Sequence, residues 1–100
     1  MHDYILFMHG DAADRAVADD GARWNAYIAK LRQSGQFDGG SSIGTGEGLN
    51  QGKPAAPAST DITGFIRVRA ESLDDAKRFL VGNPVYEGGG TVEIRELLRD

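Results

Sequence analysis

The run Tyr4-Ile5-Leu6-Phe7-Met8-His9 constrains this chain more than any other stretch. A strand sends alternate side chains to opposite faces, so Tyr4, Leu6 and Met8 share one side and Ile5, Phe7 and His9 the other. Both sides are mainly apolar. Such a strand belongs in the middle of a sheet, with a neighbour at each edge and cover on both faces. Gly10-Asp11 ends it. With 100 residues, the chain is expected to form one domain, 1–100, with one core and little apolar surface to spare.

The remaining elements follow from period and punctuation. Residues 11–20 are rich in Ala and Asp and read as loop or a frayed first turn. From Asp20 to Ser34 the spacing is helical. Trp24, Ile28 and Leu31 make the stripe, with Val17 and Tyr27 near it, while Arg23, Lys30 and Arg32 fall away from it. Asp19 and Asp20 are suitable N-caps, and Gly35 is a suitable C′ residue. Phe37 to Ile43 reads as a short, glycine-rich strand. Residues 44–60 are dominated by Gly and Pro and read as a poorly ordered loop, with room for a short hairpin near Gly48–Ala55.

Asp61 to Ala70 is the clearest alternating strand. Ile62, Ile66 and Val68 share one face, and Phe65, Arg67 and Arg69 share the other. Ser72 opens a second helix, with Asp75 three residues later in the manner of a capping box. Leu73, Ala76, Phe79 and Leu80 form its stripe, and Gly82 and Pro84 end it. Gly88-Gly89-Gly90 reads as a flexible turn. Thr91 to Leu98 is the last strand, with Val92 and Ile94 opposed to Glu93 and Arg95. The order is strand, helix, strand, strand, helix, strand. This predicts an α+β, ferredoxin-like βαββαβ fold, in which two helices cover one face of a four-stranded antiparallel sheet.

Several function classes drop out. Cysteine is absent, which removes disulfides, thiol nucleophiles and Cys metal sites, and which suits the cytoplasm. The net charge of −4 argues against nucleic acid as a partner, since that partner requires clustered positive charge. No apolar run approaches the length of a membrane span, and the first residues lack the basic region of a signal peptide. Gly44-Thr45-Gly46-Glu47-Gly48 is not a dinucleotide fingerprint, because Leu49 stands where the third glycine belongs. Gly52-Lys53 is followed by Pro54 and is not a phosphate loop. His2 and His9 are the only histidines, and no spacing assembles a metal set around them. Ser41 and Ser42 lack a nucleophile-elbow context. No cofactor or metal is therefore expected.

The sheet face away from the helices would carry Phe65, Arg67, Arg69, Glu93, Arg95 and one apolar side of the first strand. An apolar patch of this kind marks an interface, which predicts a homodimer with two such faces together. The arginines then read either as cross-strand surface pairs or as groups that fix a small anion. His9, at the end of a central strand, is a candidate acid or base. Asp38, at the start of the second strand, is its candidate partner, although turn chemistry at Asp38-Gly39 explains that residue equally well. Trp24 is either core or a ligand platform.

Taken together, several segments resemble the YCII-related (DGPF) family. They are Tyr4-Ile5-Leu6-Phe7-Met8-His9-Gly10, Trp24-Asn25-Ala26-Tyr27 running to Leu31, and Gly35-Gln36-Phe37-Asp38-Gly39-Gly40. To these are added Gly64-Phe65-Ile66-Arg67-Val68, Ala70-Glu71-Ser72-Leu73-Asp74-Asp75-Ala76, Asn83-Pro84 and Val92-Glu93-Ile94-Arg95. The resemblance implies a dimeric α+β barrel, and in some members enzymatic action on small polar molecules by a His and an Asp in the cleft. The Asp-Gly-Pro-Phe tetrapeptide itself is missing; before Gly64 the chain reads Ala55-Ala56-Pro57-Ala58-Ser59-Thr60-Asp61. Trp24 stands where some members carry a cleft histidine, so that dyad does not transfer. Two readings follow. One is an enzyme or binding protein for a small anionic metabolite, with Arg67, Arg69 and Arg95 on the anion and His9 as acid or base. The other is a non-catalytic sensing or oligomerisation module.

Overall fold

The apolar runs become strands, and hydrogen bonding joins four of them into one antiparallel sheet. The computed structural model describes residues 1–58 and 61–99. The sheet contains β1 (His2–His9), β2 (Phe37–Ser42), β5 (Ile62–Ala70) and β6 (Val92–Leu97), in the order β2-β5-β1-β6. Two-residue strands β3 (Glu47–Gly48) and β4 (Ala56–Pro57) pair only with each other. They flank the segment where a hairpin was expected. Positions 59 and 60 of the expected loop lie outside the described residues. The architecture is the ferredoxin-like α+β arrangement that the element order predicts.

Register separates the two faces cleanly. Leu6 stands opposite both Ile66 and Ile94, and Tyr4 opposite Val68. These residues, with Met8 and Ala70, point to the helix side and, Ile94 apart, are buried. Phe7 stands opposite Phe65 and Glu93, and Ile5 opposite Arg67 and Arg95, all on the side that no helix covers.

On the covered side, α1 (Arg15–Ala18) and α2 (Gly21–Gln33) are capped by Asp14 and Asp20, each accepting a backbone N–H. Gly35 follows α2 at φ +71, a left-handed conformation that a side chain would strain. Tyr27 and Leu31 bring α2 into the core. The second half differs from expectation. Instead of one helix there is a turn of α3 (Leu73–Ala76), a 3-10 turn (Lys77–Leu80) and a separate α4 (Pro84–Glu87). Ser72 Oγ accepts from Asp75 N at 3.1 Å, and the Asp75 carboxylate accepts from Glu71 N at 2.9 Å. That is the expected reciprocal cap, displaced by one residue. Pro84 does more than stop a helix. With Asn83 Oδ1 accepting from Tyr86 N, it starts the next one.

Gly88 and Gly90 also depart from expectation. They form a close-packed joint rather than a flexible turn. A Cβ on Gly88 would lie 2.8 Å from the Asp14 carbonyl oxygen, and one on Gly90 would lie 2.7 Å from Val85 Cγ1. Asp14 N donates to Gly88 O at 2.9 Å, which ties the loop before α1 to the end of α4.

Candidate functional site

A cleft of about 470 Å³ opens between α2 and the β2–β5 edge of the sheet. One wall is Trp24, Ile28 and Arg32, spaced four residues apart and so aligned along one side of α2. The floor is Phe37, Gly40, Gly64 and Ile66, with Met8 behind them. The space exists because β2 carries so few side chains. Its pairing with β5 is irregular between Phe37 and Gly40. At Gly40 the two backbones approach so closely that a Cβ would collide with the Phe65 carbonyl oxygen and lie 3.0 Å from Ile66 Cα. At Gly64 a Cβ would lie 3.2 Å from the Ser41 carbonyl oxygen and 3.3 Å from Met8 Cε.

Trp24 is half-buried in this wall. Its indole Nε1 donates to the Ala18 carbonyl at 2.7 Å, and its ring meets Tyr27 edge to face at 5.9 Å between centroids. The donor is therefore used internally, and the cleft receives the ring surface. Arg32 stands at the cleft, exposed and without an ion-pair partner among the described residues. The sequence placed Arg32 off the apolar stripe, yet the spacing Trp24, Ile28, Arg32 is the signal that aligns it with the cleft.

The arginines of the open face are already engaged. Arg69 Nε donates to the Asp38 carboxylate at 3.0 and 3.3 Å, and its NH2 donates to Gly35 O at 2.6 Å. Arg67 NH2 donates to Asp38 O at 2.8 Å. These contacts pin the irregular start of β2 to β5. Arg95 NH1 lies 3.4 Å from Glu93 Oε2. Arg67 and Arg95 flank Ile5 on the two neighbouring strands, about 10 Å apart at the usual strand spacing.

His9 meets Glu93 rather than Asp38. Its Nε2 lies 3.1 Å from Glu93 Oε1, and its side chain is 19% exposed. An ionised carboxylate can only accept, so Nε2 carries the proton and Nδ1 is the basic nitrogen of the neutral ring. Asp38 sits at the other end of β5, bound to Arg69, whereas His9 faces Ile62. That separation, from residue 62 to residue 69, is roughly 23 Å along the strand. The structure therefore does not bring His9 and Asp38 together. Glu93 was legible as a charged neighbour of Arg95, but its pairing with His9 depends on strand order. Among the described residues no group of three His, Asp or Glu side chains is placed to hold a metal.

Beside His9, Asp11 accepts from Thr91 N at 2.8 Å and Thr91 Oγ1 at 2.6 Å, which holds its carboxyl below the usual range. A hydrogen bond from Arg99 does the same for Asp3.

No family model matches the chain, and no curated protein matches it. Among solved structures, it is similar to the 5-chloro-2-hydroxyhydroquinone dehydrochlorinase of Burkholderia phenoliruptrix AC1100, solved as a complex with 2,5-dihydroxybenzoquinone. The match covers 100% of this chain and 96% of that one, at a TM-score of 0.60 and 18% identity. What the two share is the fold. No described helix is long and apolar enough to cross a membrane.

Proposed function

We propose that residues 1–100 form a single small-molecule-binding domain of the dimeric α+β barrel type, within the YCII-related family, and that its cleft takes a small planar anion. One observation carries this reading: a cleft of about 470 Å³ has Trp24 in its wall, Phe37 in its floor and a cation, Arg32, that has no ion-pair partner among the described residues. That size suits a small organic ligand, and its mostly apolar lining with one fixed charge is the usual composition of such sites. The dehydrochlorinase of the same fold was solved with a planar, acidic dihydroxybenzoquinone, which supports the ligand class. Arg67 and Arg69 play a supporting part, holding Asp38 and the start of β2. Arg95 stays with Glu93.

A second reading adds chemistry. His9, oriented by Glu93, offers a basic Nδ1 on the open face, the face that also carries Thr63 and Phe65 of the cleft rim. Carboxylate-oriented imidazoles serve as acids and bases, so proton transfer is the reaction class this pair fits.

Trp24 is the sole tryptophan, so its fluorescence reports directly on the cleft. Titration with 2,5-dihydroxybenzoquinone and simple aromatic carboxylates is expected to quench it saturably. Arg32→Ala should weaken binding by about 1.5–3 kcal/mol, the scale of a hydrogen bond to a charged group, with the fold intact. Arg95 lies outside the cleft and pairs with Glu93, so Arg95→Ala should leave affinity unchanged. Equal affinity in the Arg32→Ala protein, or no saturable quenching by any of these anions, would refute the reading.

A further inference from the structure

The cleft is a trough with two unlike ends. On its α2 wall, Trp24 and Arg32 are eight residues apart, about 12 Å along a helix. On its floor, Phe37 pairs with Val68 and Ser42 with Gly64, four residues apart on β5 and so about 13 Å along a strand. Wall and floor therefore have matching lengths. α2 ends at Gln33 and β2 starts at Phe37, so the two run in opposite directions. Trp24 then lies towards the Ser42 end and Arg32 towards the Phe37 end. Between them the lining is apolar, with Ile28 on the wall and Ile66 on the floor, and Gly40 beside Ile66 adds no side chain.

The polar groups sit at the two ends and differ in kind. Arg32 can only donate, and it carries a full charge. Ser42 is a neutral hydroxyl that both donates and accepts. Its pairing with Gly64, which also stands opposite Met8, puts Ser42 on the helix side of the sheet and so in the trough. The Ser41 hydroxyl donates to the Ser42 carbonyl at 2.9 Å, whereas Ser42 Oγ makes no hydrogen bond to another described residue. Thr63 stands at the same end, where Oγ1 donates to Met8 O at 3.4 Å and keeps its lone pairs for a second donor. Trp24 and the bare floor at Gly64 leave room there for a flat ring. A carboxylate matches Arg32, a ring matches Trp24, and a phenolic hydroxyl matches Ser42. Two groups on adjacent ring carbons are too close together to reach both ends, so the hydroxyl must lie across the ring from the carboxylate.

We infer that the ligand class is an aromatic acid with a hydroxyl opposite its carboxylate, and that Ser42 selects for that hydroxyl. The inference rests on the anion-binding reading of the cleft and adds the ligand's second polar end. Isothermal titration calorimetry of the full chain with benzoate, 2-hydroxybenzoate, 4-hydroxybenzoate and 4-hydroxycinnamate tests it, the last two differing only in the spacer before the carboxylate. The better of the two 4-hydroxy acids is expected to bind about fivefold more tightly than benzoate, the scale of one neutral hydrogen bond. The 2-hydroxy isomer should show no such gain. Ser42→Ala should remove the about fivefold advantage and leave benzoate unchanged, and Ser42→Thr, which keeps the hydroxyl, should restore it. Equal affinity for benzoate and both 4-hydroxy acids would overturn the inference and leave the cleft reading standing. So would an equal gain from the 2-hydroxy isomer, or a Ser42→Ala protein that loses benzoate and 4-hydroxybenzoate alike, since Ser42 would then only shape the wall. Binding of none of the four acids would instead count against the cleft reading, and the inference would fall with it.

Discussion

At the scale of single residues, Tyr27 shows how burial sets chemistry. Its hydroxyl donates to Phe79 O at 2.6 Å, which links α2 to the 3-10 turn, and removal from water pushes its pKa up to about 12. Asn83 lies beside it and offsets part of that rise, although its Nδ2 has no partner at hydrogen-bond geometry among the described residues. The sign of the consequence is fixed. Below about pH 10 the phenol is protonated in both folded and unfolded chains. Above it the unfolded phenol ionises first, so stability falls as pH rises towards 12, by about 2–3 kcal/mol in total. Tyr27→Phe should remove this alkaline loss and cost about 1–2 kcal/mol at neutral pH, because Phe79 O loses its donor. Urea unfolding of both proteins from pH 8 to 12 is the check, and parallel pH profiles would contradict it. Trp24 shows a different lesson. The sequence left it as core or ligand platform; in the fold its polar atom goes to the Ala18 carbonyl, its ring packs on Tyr27, and the same ring lines the cleft.

At the scale of elements, what the sequence made legible depended on whether a signal was local. Alternation in β5 and the apolar run of β1 identified central strands, because a strand's two faces are written in its own residues. The caps of α2 were local as well. The second helical segment was not, because its division at Lys77 and Asn83 comes from how Phe79, Asn83 and Val85 pack beneath it. The His9–Glu93 pair was hidden for a similar reason: it spans residues 84 apart and exists only once β6 lies beside β1. Gly40 falls between these cases. Glycine density marked β2 as weak, but the close approach of β2 to the Phe65 carbonyl emerges only from pairing. Gly40→Ala forces a backbone shift in β2, so it should destabilise by about 2–4 kcal/mol, well beyond a surface substitution. Thermal unfolding against Gly46→Ala, where a Cβ would meet nothing within 4 Å, isolates the effect. Equal melting temperatures would mean that the strand yields freely.

At the scale of the whole molecule, the extents of 46 × 39 × 19 Å describe a slab with helices on one side and a bare sheet on the other. If the bare side is an interface, association stabilises the folded chain by mass action, and the melting temperature must rise with protein concentration. A scan series from 1 to 100 µM tests this, and a constant melting temperature would contradict it. The cleft has a consequence of its own. Its width comes from side chains that are missing at Gly40 and Gly64, not from side chains that hold it open. A mutation that narrows the floor must also break the sheet, whereas changes at Ile28, Arg32 or Ser42 alter the walls at little structural cost. Natural variation can therefore retune which molecule this scaffold accepts far more readily than how large a molecule it accepts.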